Sequence, residues 1–229
     1  MEKLVVLSGA GVSAESGLKT FRDSDGLWEG YDVTEVASPE GWRKNPELVL
    51  DFYNQRRRQL KEVQPNKAHE AIKLLEEKFD VTVITQNVDD LHERAGSSSV
   101  IHLHGELKKV RSTGHEHLVY DWENDLILGD MCESGYQLRP HIVWFGEAVP
   151  MIEKAVDFCE QASIFIIVGT SMQVYPAAGL IGYAPRGSLV YYVDPNPAVS
   201  GLLSNGKDLR IIAEKATSGV NRVVHELFS

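Results

Sequence analysis

Four short polar clusters in this 229-residue chain carry residue types able to do chemistry, and each lies just past an apolar run. Gly9-Ala10-Gly11 follows residues 4–7. Glycines there let the backbone turn sharply and bring its amides close to a phosphate. Gln86-Asn87-Val88-Asp89 follows residues 81–85 and offers two amides and a carboxylate. His104 ends the alternating segment Val100-Ile101-His102-Leu103-His104 and precedes Gly105. A histidine beside a glycine at a strand terminus can point into a cleft and titrate near neutrality. Gly169-Thr170-Ser171 follows residues 164–168, and small residues with hydroxyls suit phosphate or ribose contact. Each cluster also has a plainer reading. Polar residues after a strand are common helix caps, and Gly169-Thr170-Ser171 fits a tight strand-to-helix turn. From its type alone, His104 reads first as a hydrogen-bonded surface histidine.

A fifth cluster sits on a helix. Asn45 can cap it, and Pro46 suits the first helical position. Val49, Tyr53, Arg56, Leu60 and Val63 then share one face, and Arg56 interrupts an otherwise apolar or aromatic stripe. Arg57 and Arg58 point elsewhere. Arg56 reads either as an arginine snorkelling at the edge of the stripe or as one held in a pocket. In a pocket it would meet a carboxylate bidentately, with the Tyr53 hydroxyl as second donor.

The elements that must position these groups are legible in the hydrophobic pattern. The runs at 4–7, 81–85, 164–168, 189–193 and 209–212 are short and do not alternate, as for parallel strands covered on both faces. Asn66 opens a well-patterned helix over 67–75, and a C-terminal helix is expected near 218–227. Strands alternating with helices predict an α/β fold: an open parallel Rossmann-like sheet with helices on both faces. Ligands bind such sheets at the carboxyl ends of the strands, where the four clusters lie. Two segments break the alternation, a helical one at 42–63 and an irregular polar one at 107–138. The chain is therefore expected to form one domain, with a large part at about 1–40, 64–106 and 141–229 and a small inserted part at about 41–63 and 107–140.

Hydrophobic content of 43% and charged content of 24% suit a soluble enzyme. A net charge of −10 gives no electrostatic footprint for nucleic acid or an anionic membrane, and mildly favours basic protein segments as partners. Neither a leader-like segment nor an apolar run near 18 residues is present, so a cytoplasmic location is expected. Cys132 and Cys159 are the two cysteines, and no C-x-x-C pair occurs.

A dehydrogenase is the first reading of the glycine turn, with Ala14 in place of a third glycine. That reading requires a second strand ending in an acid about 20 residues on. The chain instead runs into the polar loop Phe21-Arg22-Asp23-Ser24-Asp25-Gly26-Leu27-Trp28. The whole string from Leu7 to Gly17, closed by Thr20-Phe21-Arg22-Asp23, resembles the signature of the sirtuins, the NAD-dependent protein deacylases. Further similar strings follow in order: Thr85-Gln86-Asn87-Val88-Asp89, Leu91-His92, Ala95-Gly96, His104-Gly105-Glu106, Arg139-Pro140-His141-Ile142-Val143-Trp144-Phe145-Gly146-Glu147 and Val168-Gly169-Thr170-Ser171. Together they span nearly the whole chain, and the bacterial CobB-like group within class III is the most similar.

The resemblance implies specific roles. The catalytic set would be His104, Asn87 and Asp89. His104 would be the base that deprotonates a ribose hydroxyl, Asp89 would hold the nicotinamide carboxamide, and Asn87 would position ribose and water. NAD, consumed as co-substrate, would contact Gly9, Ala10, Gly11, Glu15, Thr20, Phe21, Arg22 and Trp28 near the start of the chain. Gln86, Gly169, Thr170 and Ser171 would contact it at the strand ends. Asp194, where sirtuins often have asparagine, and Ala216 would contact it late in the chain. Val143, Trp144, Phe145 and Gly146 would pair their backbone with an extended acyl-lysine peptide. Tyr53 and Arg56 match the pair that class III members use for succinyl- or malonyl-lysine. The implied activity is NAD-dependent removal of acyl groups from protein lysine, succinyl or malonyl with acetyl possible, releasing nicotinamide and O-acyl-ADP-ribose. Two alternatives remain: a protein ADP-ribosyltransferase, and a non-catalytic NAD-sensing module that binds peptide.

The insert departs from the family pattern. Sirtuins usually carry four zinc cysteines between the His-Gly and Arg-Pro-His motifs. Here Ser112, Gly114 and His115 stand near the first pair, and Met131, Cys132 and Ser134 near the second. With His117, one thiol and two imidazoles remain, which lack four-coordinate spacing, so no metal is expected. Packing of Leu118, Tyr120, Trp122 and Leu126 must then hold the insert together.

Overall fold

A computed structural model describes residues 1–19, 27–28, 30–198 and 201–229, with the side chains of Leu27 and Leu202 left aside. In chain order the elements begin with β1 (Glu2–Ser8), α1 (Ala10–Ala14), β2 (Leu27–Trp28), β3 (Tyr31–Asp32), α2 (Val33–Val36), α3 (Pro39–Lys44), α4 (Pro46–Glu62) and α5 (Lys67–Leu74). Then come β4 (Phe79–Thr85), α6 (Leu91–Arg94), β5 (Val100–His102), β6 (Gly105–Ser112), β7 (Val119–Asp121), β8 (Leu138–Ile142) and α7 (Ile152–Cys159). The chain closes with β9 (Ile164–Val168), a 3-10 segment (Ala177–Tyr183), β10 (Leu189–Val193), α8 (Gly201–Ser204), β11 (Asp208–Ile212) and α9 (Ala216–Phe228).

Six parallel strands form the main sheet in the order β11-β10-β9-β1-β4-β5. The apolar runs of β1, β4, β9 and β10 become strands because both faces of the sheet are covered there, whereas the run at 209–212 forms the edge strand β11, with Ile211 exposed. Leu4 and Val6 enter one core with Ile72 of α5 and Val220 and Val223 of α9. Val5 and Leu7 enter the other with Ala155 and Cys159 of α7 and Leu180 of the 3-10 segment. Local signals place the helices as expected. The Asn66 side chain accepts from Ala68 N at the start of α5, and Asn45 accepts from Leu48 N ahead of Pro46 in α4.

The order of the strands makes the site. From β1 the chain moves outward to β4 and β5, then returns to β9 on the opposite side, so the connectivity reverses between β1 and β9. The register aligns Ser8 with both Thr85 and Val168. The next residues, Gly9, Gln86 and Gly169, therefore converge at the carboxyl edge, where open α/β sheets bind ligands.

The segment expected to be irregular supplies β6 and β7 to a three-stranded antiparallel sheet, β7-β6-β8, and stays irregular over residues 122–137 apart from one bridge between Met131 and Gln137. Its apolar alternation is diluted by Lys108, Lys109 and Arg111, which concealed the strand in the sequence. Leu50, Val110, Leu126, Cys132 and Leu138 form its core, with Leu118, Tyr120 and Trp122 packed against them. Among the described residues no cluster of His, Cys, Asp and Glu has metal-binding geometry. Likewise, no described helix is long and apolar enough to cross a membrane.

Candidate functional site

A cavity of about 610 Å³ opens along the carboxyl edge of β1, β4 and β9. It is lined by Gly9, Ala10, Gly11, Trp28, Gln86, Asn87, Asp89, His104, Gly169, Thr170 and Ser171, and also by Tyr53, Arg56 and Val143 through Gly146. The clusters picked out by residue type thus share one wall. Glu15, Asp194 and Ala216 are not among the lining residues. The Glu15 carboxylate accepts from Thr217 N and Oγ1 at 3.0 and 2.9 Å, at the start of α9. Asp194 accepts from Asn196 N at 2.8 Å, and Ala216 is buried. Thr20, Phe21 and Arg22 lie outside the described residues.

The glycine turn works by close approach. A Cβ on Gly11 would sit 2.7 Å from Gly169 Cα, so the loops after β1 and β9 touch only because both residues are glycine. Gly9 N donates to Val168 O and Gly11 N to Gly169 O. Two amides of the glycine turn, those of Gly9 and Gly11, are therefore already engaged. Ala10, the first helical residue, keeps an N–H with no intrahelical acceptor.

Behind the turn lies a buried polar chain. Asn87 Nδ2 donates to Ser13 Oγ at 3.1 Å, and Ser13 Oγ donates to Asp89 Oδ2 at 3.0 Å. Burial raises the Asp89 pKa above the ordinary aspartate value, opposed by the Leu91 N–H and the Ser13 hydroxyl. Ser13, 2% exposed, is the member that residue-type reasoning passed over. Serine in a short helix carries no local sign that it will bridge two residues more than seventy positions away. Gln86 Nε2 donates to Thr170 Oγ1 at 3.1 Å and ties the loops after β4 and β9 together.

His104 Nδ1 is 3.1 Å from Gln86 O. A carbonyl only accepts, so Nδ1 carries the proton and Nε2 keeps its lone pair. Burial lowers the His104 pKa below the ordinary histidine value, with the Gln86 carbonyl partly opposing. Burial thus favours the neutral imidazole, the form a general base requires, on the cavity wall. His104 reaches this position because Gly105 adopts φ +82° and sits against the His141 carbonyl, where a Cβ would collide.

The far end is built from α4 and the segment after β8. Tyr53 is fully buried and Arg56 is 7% exposed. The Arg56 Cζ lies 3.7 Å from the centre of the Phe52 ring, and Nη1 donates to Phe52 O at 2.8 Å. The guanidinium is thus tucked among aromatic rings beside the cavity and does not snorkel outward. Arg57 does point elsewhere, yet it is only 1% exposed, with Nε donating to Leu107 O and Nη1 to Asn54 Oδ1. Trp144 Nε1 donates to Tyr53 Oη at 3.1 Å. The Val143, Trp144 and Phe145 amides are taken by His104 O, Glu147 Oε2 and Ala37 O. Among the described residues the Gly146 N–H and the Val143 carbonyl make no hydrogen bond.

Comparison with known proteins agrees with this geometry. Residues 9–176 match the sequence model of the Sir2 family. A Helicobacter pylori (strain ATCC 700392 / 26695) protein named NAD-dependent protein deacylase is 58% identical, over 99% of this chain and 98% of that protein. A Bacteroides thetaiotaomicron protein of the same name is 53% identical, over 97% of each. Among solved structures, a Sir2 homologue in complex with NAD is 40% identical, with a TM-score of 0.86 over 99% of this chain and 89% of that one. A Sir2 complex with a p53 peptide and NAD+ is 30% identical, with a TM-score of 0.80 over 98% and 93%.

Proposed function

The chain belongs to the Sir2 family, and from that premise we propose that this NAD-dependent protein deacylase prefers lysines bearing acidic acyl groups, succinyl or malonyl, over acetyl-lysine. The residues suit the dinucleotide. The Ala10 amide and the Thr170 hydroxyl lie at the converging strand ends, and the buried Asn87-Ser13-Asp89 chain offers both a carboxamide donor and a carboxylate acceptor. When bound, NAD supplies an electrophilic ribose carbon and nicotinamide as leaving group. Asp89 and Asn87 are proposed to hold the nicotinamide side. His104 Nε2, unprotonated and on the cavity wall, is proposed to take the ribose hydroxyl proton. In this reading the main sheet forms the NAD-binding part, and α4 with the antiparallel sheet forms the smaller part that receives substrate, in the cytoplasm.

The observation that carries the acyl preference is Arg56 on the cavity wall with Tyr53 one helical turn before it. A carboxylate entering an apolar pocket loses its hydration and needs a charged partner there. Arg56 offers a planar donor fork to a carboxylate and nothing of use to a methyl group. Mass-spectrometric rate measurement on acetyl-, malonyl- and succinyl-lysine versions of one peptide tests the proposal. The expected result is a higher kcat/KM for the two acidic acyl groups. A higher kcat/KM for acetyl-lysine would overturn it.

A further inference from the structure

We propose that Trp144 is a positioning residue for acyl selectivity: its indole N–H occupies the accepting side of the Tyr53 hydroxyl, so that the phenolic proton is presented to an acceptor on the ligand. This inference rests on the acidic-acyl reading above and assigns to the Trp144 side chain a task separate from any backbone pairing of residues 143–146.

The argument is one of hydrogen-bond direction. An indole N–H can only donate, whereas a phenol both donates and accepts. The 3.1 Å contact from Trp144 Nε1 therefore spends the Tyr53 oxygen as acceptor. Among the described residues the Tyr53 hydroxyl donates to no protein group, although the residue is fully buried. A buried donor without a partner is costly, and a ligand acceptor would complete it. Arg56, one turn further along α4 and on the same cavity wall, is also donor-only. A carboxylate accepts from both, and an acetyl methyl from neither.

The indole is held firmly enough to do this. Trp144 is 2% exposed, and its backbone N–H donates to Glu147 Oε2 at 2.8 Å. The Arg139 Cζ lies 3.2 Å from the centre of its ring, and Arg139 Nη1 and Nη2 reach Glu147 at 2.6 and 3.1 Å. The Trp42 ring lies 5.8 Å away. The orientation of Nε1 is therefore set by groups outside the acyl pocket.

Trp144→Phe keeps an aromatic ring and removes the N–H. The quantity to read is the ratio of KM for succinyl- to acetyl-peptide, in which any shared loss of peptide binding cancels. Loss of one neutral hydrogen bond is expected to raise that ratio about 3- to 10-fold, with the ratio of kcat values unchanged. In a Tyr53→Phe background, Trp144→Phe should move the ratio no further, because the indole acts only through the Tyr53 oxygen. The Trp144 indole N–H resonance should also shift in Tyr53→Phe. If the phenylalanine variant loses the fold, benzothienylalanine at position 144 removes the N–H at nearly the same shape. A wild-type succinyl advantage that either variant leaves intact, or effects of Trp144→Phe and Tyr53→Phe that simply add, would overturn the inference alone. No wild-type succinyl advantage would overturn the acyl reading and this inference with it.

Discussion

His102 and His104 donate their Nδ1 protons to the carbonyls of adjacent residues, Asn87 and Gln86, each at 3.1 Å, yet their surroundings push their pKa values in opposite directions. His102 Nε2 also faces Glu93 Oε1 at 2.6 Å. Both partners of His102 are acceptors, an arrangement that favours the doubly protonated ring. Burial opposes that charge, but the Glu93 carboxylate outweighs it and the His102 pKa rises. Among the described residues His104 has no such partner, and burial lowers its pKa. Environments that push two titratable groups apart separate their roles.

The pH profile follows from this pair. If His104 is the base, kcat/KM should rise with an ascending limb centred below 6.5, the ordinary histidine value, and be level above it. A limb governed by His102 would lie above 6.5. His104→Ala should lower deacylation about 10²–10⁴-fold, while nicotinamide exchange, which precedes the base step, falls less. A midpoint above 7, or a variant retaining half its activity, would remove His104 from this role.

Ser13 is expected to matter as much as its better-marked partners. Its hydroxyl joins Asn87 Nδ2 to Asp89 Oδ2, so Ser13→Ala strands one buried donor and one buried acceptor. Such losses cost about 1–3 kcal/mol. Nicotinamide exchange should fall about tenfold or more, with the circular dichroism spectrum retained. An unchanged exchange rate would show that the chain of hydrogen bonds does not set the site.

Arg56→Met keeps the stem and deletes the charge. Truncating one partner of a buried charge pair costs about 2–5 kcal/mol, so the succinyl-to-acetyl ratio of kcat/KM should fall about 30-fold or more. Equal losses on the two peptides would make Arg56 a packing residue.

Stability should weaken in mild acid through His69 and His92. The two rings meet edge to face at 4.8 Å, and burial drives His69 down to about 4 and His92 well below its ordinary value. When unfolded, both take up a proton near 6.5. The stabilising difference is therefore complete above 6.5 and is lost as pH falls toward 4, about 3 kcal/mol for His69 alone. His102 works in the opposite sense, since its contribution is present below 6.5 and lost as pH rises through its raised folded value. Urea midpoints between pH 7.5 and 4.5 should decline in wild type and decline less in His69→Phe. Parallel curves would refute the assignment.

Chelation is expected to leave the melting temperature and the activity unchanged. Cys132 Sγ lies 3.3 Å from Ser112 Oγ within the apolar core of the antiparallel sheet. One tightly held zinc per chain on elemental analysis would contradict this and direct attention to Cys132, His115 and His117.

What the chain alone determined was local. Unbroken apolar runs mark β1, β4, β9 and β10, because strands covered on both faces need apolar side chains in both directions. Asn45-Pro46 and Asn66 mark helix starts, because a cap satisfies amides within three residues of itself. The polar clusters after those strands were legible as a site for the same reason: strand ends in a parallel sheet must meet at one edge. The strand β6 was not legible, because Lys108 and Arg111 dilute its apolar alternation and face partners, Asp90, Glu123 and Glu147, that only folding brings near. Tertiary structure alone decided the rest. It brought Ser13 between Asn87 and Asp89, turned the Gly11 amide to Gly169, buried Arg57, and set the Trp144 indole on Tyr53, 91 residues away. It also decided which way the pKa of each of two histidines in one short motif moves. Hydrogen-bond direction and protonation depend on burial and on through-space neighbours, and residue order does not encode either within a local window.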